Sequence, residues 1–322
     1  MKKPFALLWT IVATMGLLIV GCNKNANGPE DETAPPGVTD ERSAIVYQAV
    51  NDEFVKNDEQ TFADQEVQPT DYGLLGKIDA AITPLRWGRF INSITRTVTV
   101  TIEPGDSIAI ARVHKVINGV LKIRAINASG DTILVEKPFS DESDRNVIFR
   151  RVERGPLFWR NWIPVATSLV KGGTPTGDIT ITQLLFMTRR DTITINDPLN
   201  FYLRYRWLRT MHGNRDLFHR DRDVPELVTR DSVKVRVTLT SASPDTDLVA
   251  LRFGFTSLYK SRARMFLVSQ NGNTKVYERT FFVHPRPGHF HAAVEAMTKA
   301  TLFDDNPALY SVSWWGVPYR VF

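Results

Sequence analysis

From about residue 94 to the C-terminus, the apolar residues of this chain recur mostly with a period of two. That spacing puts alternate side chains on opposite faces of an extended strand and argues against a helical body. Residues 95–102 read Thr-Arg-Thr-Val-Thr-Val-Thr-Ile, β-branched at every position but one, as a pleated surface favours. Pro104-Gly105-Asp106 predicts a turn and 108–117 a second strand. Asn118-Gly119 predicts a tight hairpin, because both residue types tolerate positive φ. Residues 121–126 return, Ser129-Gly130-Asp131 turns again, and 132–136 follow. The expectation is an antiparallel meander, continued by strands at 145–152, 162–170, 178–187, 191–196 and 200–208.

Residues 209–230 are polar and charged, with Gly213 and Pro225, and read as a long loop or a junction between domains. A new β pattern follows at 232–240, 248–255, 262–269, 274–283, 289–297 and 309–315. Asn271-Gly272 predicts a hairpin within it, and the Ala-rich stretch 292–300 is also compatible with helix. Six or seven short strands in this C-terminal part resemble an immunoglobulin-like β-sandwich in architecture, without the Cys pair or Trp signature of true immunoglobulin domains. Such scaffolds serve many unrelated functions. An outer-membrane barrel is excluded on pattern, since regular ten-residue alternating segments are missing and Pro318 interrupts the last one.

Ahead of the strands, 40–56 predicts a helix. Asp40 can cap it and Glu41 suits its first turn. Val46, Val50 and Phe54 make one apolar stripe with Tyr47 beside it. A second short helix is expected at 71–82, ended by Pro84. The fold class expected is mainly β: a helical segment at 40–84, an antiparallel β-domain at 85–228 and an immunoglobulin-like sandwich at 229–322.

One cysteine, Cys22, is present, so no disulfide forms within the chain and no Cys-based metal site exists. Its surroundings account for it. Met1-Lys2-Lys3 is a positive start, 5–20 is an apolar run, and Ile19-Val20-Gly21-Cys22 closes it. This resembles the leader of bacterial lipoproteins, whose lipobox ends in a small residue and Cys. The resemblance spans 1–22 and implies cleavage before Cys22, lipidation of its sulfur and, after cleavage, acylation of its amine. Several acyl chains together anchor stably. Residues 22–39 then form the lipidated cysteine and a flexible tether with little to bury. Asn23, in place of the Asp that retains such proteins at an inner membrane, implies an outer-membrane address. The body is expected in the cell envelope, held to a membrane by lipid.

Charge is mild: 40 Lys plus Arg against 35 Asp plus Glu, a net +5. That is too small an excess to imply nucleic acid. Arginine supplies 27 of the cations, many beside acids as in Arg220-Asp221-Arg222-Asp223, which reads as surface ion pairing.

No Gly-x-Ser-x-Gly elbow, His-Glu-x-x-His, phosphate loop, dinucleotide fingerprint or calcium loop occurs. The body is therefore expected to be a non-enzymatic binding or structural protein with an envelope protein or glycan as partner, and no cofactor. Two weaker sites stand out. If 289–297 is a strand, His289, His291 and Glu295 share its solvent face, near His284, and could ligate Zn²⁺. Trp315 lies with Ser311 and Ser313 opposite Tyr310, Val312 and Trp314, so an outward Trp315 could stack on a sugar or form a domain seam. The alternatives are accordingly a carbohydrate-binding lipoprotein, or an envelope hydrolase using His212, His219, Asp216, Asp221 and Asp223.

Overall fold

A computed structural model of the chain describes residues 34–52, 54–56, 67, 80–105, 107–152, 158–189, 191–204, 222–223, 225–253 and 261–322. Cys22, residues 71–79 of the helix expected at 71–82, and the side chains of His212, Asp216, His219, Asp221 and Asp223 lie outside them. The described residues belong to one unit, Ala34–Phe322.

The protein is mainly β and antiparallel, as expected. Three long strands come first: β1 (Ile82–Ile102), β2 (Ile108–Asn127) and β3 (Thr132–Arg151). They form a meander, with β2 between the other two. Short strands follow: β4 (Trp162–Ser168), β5 (Val170–Gly173), β6 (Ile179–Met187), β7 (Thr192–Ile195), β8 (Tyr202–Arg204), β9 (Arg222–Asp223) and β10 (Glu226–Leu227). The last group is β11 (Ser232–Ser241), β12 (Leu248–Phe253), β13 (Ser261–Arg264), β14 (Phe266–Asn271), β15 (Thr274–Phe282), β16 (Gly288–Met297) and β17 (Val312–Val321).

These strands make two sheets. The smaller runs β14-β15-β11-β6-β7, and the larger has twelve strands, with β13-β12-β16-β17-β5-β3 along its path. A sandwich core fills the space between them. Val233, Val235, Val237 and Leu239 of β11 and Ile179, Ile181, Leu184 and Phe186 of β6 meet Phe290, Ala292, Val294 and Ala296 of β16 and Trp315, Val317 and Tyr319 of β17. The opposite face of β16, β17 and β12 is buried as well. Met297, Leu248, Ala250, Val312 and Trp314 pack there against Trp87, Ile117, Leu121, Ile123 and Phe139 of the meander. Strands covered on both faces lose the in–out contrast that alternation reports.

The two β segments expected as separate domains, 85–228 and 229–322, are interleaved. β6 pairs with β11 in the small sheet, and β5 pairs with both β3 and β17 in the large one. The polar stretch at 209–230 does not separate two cores, because the strands on either side of it share hydrogen-bond ladders.

Other expectations fail for local reasons. Asn118-Gly119 is no turn, since β2 runs through it with Asn118 opposite Ser93 and Ser140. Glycine is needed there for space instead: a Cβ on Gly119 would sit 2.4 Å from the Phe90 carbonyl and 2.6 Å from the Phe139 ring. β1 begins at Ile82, not near 94, and no helix ends at Pro84. Register shifts at Pro84/Arg86 and Ile91/Ser93 break its alternation. Among the described residues β1 pairs with β2 and, through one bridge, with Val67, an edge position that tolerates proline. The Asn271-Gly272 hairpin is present: Gly272 has φ of 55° and joins β14 to β15. The Ala-rich stretch is strand through Met297, and helix α2 (Lys299–Phe303) follows it.

Helix α1 (Glu41–Asn51) starts where expected. The Asp40 carboxylate accepts from the Ser43 backbone N–H while the Ser43 hydroxyl accepts from Asp40 N–H, a reciprocal cap. Its buried face is Ala44, Ile45 and Ala49, however, and Tyr47 is exposed. Ile45 and Ala49 of this face share a cluster with Ala109 and Ala111 of β2, Val147, Phe149 and Trp162. The indole N–H of Trp162 donates to Glu41 at 3.2 Å, and Glu41 also pairs with Arg151.

Candidate functional site

β16 alternates as the sequence implies, but its polar face is not open to water. Glu295 is 2% exposed. Oε1 binds Arg89 of β1, Oε2 lies 2.7 Å from Arg252 of β12, and Arg262 of β13 is 3.9 Å away. Burial alone would raise this carboxyl, but Arg252, Arg89 and Arg262 together outweigh it and hold Glu295 well below the usual carboxylate range. The contact ties the meander to the sandwich across the second core. Sequence reasoning took this face for a solvent face because nothing in 289–297 announces that Arg89, 206 residues before Glu295, lies over it.

Of the expected Zn²⁺ set, the described side chains of His284, His291 and Glu295 are not grouped to hold a metal ion. Both Glu295 oxygens are held by arginines. His291 shares that face of β16 and is half-buried. His284 stacks on Phe290 with ring centroids 5.0 Å apart, and Phe290 points into the sandwich core, to the other side of the strand. The His289 side chain lies outside the described residues. Among those described, no three His, Cys, Asp or Glu side chains are grouped to hold a metal ion.

Trp315 does not face outward either. It is 2% exposed and sits in the sandwich core, while its neighbour Trp314 fills the second core. β17 is flanked by layers on both faces, so both rings are packing residues and Trp315 presents no face to a sugar.

The remaining buried charges also act as fasteners. Asp141 of β3 accepts from the Tyr310 hydroxyl at 2.7 Å and the Thr174 hydroxyl at 3.0 Å. Lys275 pairs with Asp247 at 2.9 Å with neither side chain exposed. Lys137 of β3 is fully buried and donates to the carbonyls of Ala300 at 2.8 Å and Leu309 at 3.1 Å. Burial pushes its ammonium down to about 8, against the opposing pull of Asp304 and Asp305.

What the structure leaves open is an edge. The chain leaves β13 in the large sheet, buries Met265, and enters the small sheet as β14. All six residues of β14 are exposed. Phe266 is 55% exposed and Val268 56%, and Phe282 at the end of the neighbouring β15 is 72% exposed. Arg279 lies over the Phe266 ring at 5.4 Å. β14 pairs with β15 on one side, and no described strand lies on the other.

Natural sheet edges are usually blunted by charge, proline or a bulge. β13 carries Arg262 and Arg264, and β1 carries Pro84, Arg86, Arg89 and Arg96. In contrast, 265–274 (Met-Phe-Leu-Val-Ser-Gln-Asn-Gly-Asn-Thr) holds neither charge nor proline. Its one guard is a register shift between Leu267 and Ser269. The signal was present in the sequence as a neutral run in a chain with 23% charged residues. Only the strand order shows that the run lies on an edge.

No family model and no curated protein matches the chain. Among solved structures, a chain described as an extended synaptotagmin 2, with its SMP domain and two C2 domains, aligns over 88% of this chain and 99% of its own. It does so at 8% identity and a TM-score of 0.13, a likeness too slight to carry a fold or a function.

Proposed function

We propose that this chain is an exported lipoprotein of the cell envelope, acylated at Cys22, whose β-sandwich body binds a protein partner by strand pairing at β14. The observation that carries the binding role is the exposed, uncharged, partly apolar edge at Phe266–Asn271. Strand addition to such an edge supplies main-chain hydrogen bonds for affinity and side-chain contacts for specificity. The anchoring rests on the leader and on Ile19-Val20-Gly21-Cys22. A non-catalytic role is favoured because the buried carboxylates Glu295, Asp141 and Asp247 are each committed to a cation or hydroxyl that joins layers.

A photo-crosslinking amino acid at Val268 tests the binding role in intact cells. A defined crosslinked product at Val268, with none from Thr194 on β7, supports it; equal labelling from both positions refutes it. Palmitate labelling tests the anchor. The parent chain takes up label and Cys22→Ser takes up none, whereas labelled Cys22→Ser would end the lipoprotein assignment.

A further inference from the structure

We infer that Arg89, Arg252 and Arg262 form a binding site for a phosphate group, at the seam where the two ends of the large sheet approach each other. From β13 that sheet runs through β12, β16, β17, β5, β3 and β2 to β1. Arg89 of β1 and Arg262 of β13 nevertheless reach the same carboxylate, Glu295 of β16. The sheet therefore curls until its two end strands flank one buried side chain. The mouths of barrels are preferred places for small ligands, and a closing sheet makes such a mouth. The site is separate from the β14 edge and stands or falls without it.

Charge makes the ligand an anion. Three guanidiniums gather on a single carboxylate, Glu295. Asp141, whose field reaches Arg89, is engaged by the Tyr310 and Thr174 hydroxyls, and burial pushes its carboxyl up. Even with Asp141 ionised, the cations of this group outnumber its carboxylates. Arg252 and Arg262 are also direct neighbours across the β12–β13 ladder, an arrangement that like charges disfavour. Burial, with Arg262 adding to it, lowers Arg252 to about 10 against the pull of Glu295.

Hydrogen bonding narrows the ligand to an oxyanion. Arg89 is 4% exposed, and its Nη2 donates to Glu295. Its Nε and Nη1 are buried with no acceptor among the described residues. Buried donors left without a partner carry the full cost of their desolvation, and a guanidinium cannot give up its proton to avoid it. Phosphate oxygens accept several N–H groups at once, and the planar fork of arginine matches their geometry. Entry is from the β13 side, where the Arg262 side chain is 11% exposed and the Arg252 side chain 5%.

The test titrates inorganic phosphate into the full chain by calorimetry, in buffer free of phosphate. Binding of one phosphate per chain is expected, with a melting temperature that rises with phosphate and not with chloride at equal ionic strength. Arg262→Gln removes the most exposed of the three cations and should weaken binding about tenfold, at an unchanged melting temperature without phosphate. Arg89→Lys keeps the charge but loses the planar fork, and should weaken binding as much. Methyl phosphate, run in parallel, tells a free ion from an ester. Tighter binding of the ester assigns the site to the phosphate end of a larger molecule, and tighter binding of the ion assigns it to phosphate itself. No heat from the parent chain, a rise in melting temperature equalled by chloride, or two variants that bind as the parent does overturns the site and leaves buried water to satisfy Arg89. If a variant does not fold, the parent's phosphate and chloride titrations decide.

Discussion

Glu295 of β16 joins the sandwich to the meander through Arg89 of β1 and Arg252 of β12. A carboxylate buried between Arg89 and Arg252 contributes little net stability, because desolvation offsets the attraction. Removing it strands the cations. Glu295→Ala is expected to cost about 3–5 kcal/mol in urea unfolding, and a loss below about 1 kcal/mol would mean the arginines find water. Lys137 makes a pH prediction. Its ammonium titrates near 8 in the folded protein and near 10.4 when unfolded. Between those values the unfolded chain binds more protons, so this group makes stability rise with pH from about 8 to about 10.4; below 8 its penalty is constant. Lys137→Met should remove that rise, and parallel stability–pH curves for parent and variant across the window would refute the assignment. Neither role was legible beforehand, because each depends on partners far away in sequence.

At the scale of elements, start signals were more legible than faces. Asp40 announced the cap of α1, and Gly272 announced the β14–β15 turn, because a cap and a tight turn depend on a few neighbouring residues. Of the stripe Val46, Val50, Phe54, only Phe54, beyond the end of α1, is buried, while Val46 and Val50 are half-buried. The side of α1 that packs with Ala109 and Ala111 of β2 carries Ile45 and Ala49 instead. Gly119 misled more strongly, since a residue needed for its missing Cβ looked like a residue needed for its φ. Gly119→Ala is therefore expected to destabilise by about 1–3 kcal/mol through overpacking against Phe90 and Phe139. Pairing it with Phe139→Leu should recover part of the loss. Full tolerance of Gly119→Ala in the parent background would show that β2 has room there.

The whole molecule is held together by exchange of strands between its halves. β6 and β11, and β5 and β17, join segments that the polar stretch at 209–230 seemed to separate. Such interleaving predicts one cooperative unfolding transition for the body, seen with coincident midpoints by calorimetry, far-ultraviolet circular dichroism and tryptophan fluorescence. Two resolved transitions would restore the two-domain division. Residues 229–322 made alone should fail to fold, because β11 would lose β6, and β17 would lose β5 and the meander that covers Trp314.

Residue order alone was enough for strand-rich character, the first turn of α1 and one hairpin, because each is set by neighbours within a few positions. Which faces are buried was settled only when β1 came to lie over β16 and the small sheet closed on the other side. That burial took Trp315 and Glu295 away from solvent and left β14 exposed. Burial depends on what covers a strand, and the covering strands lie far away along the chain.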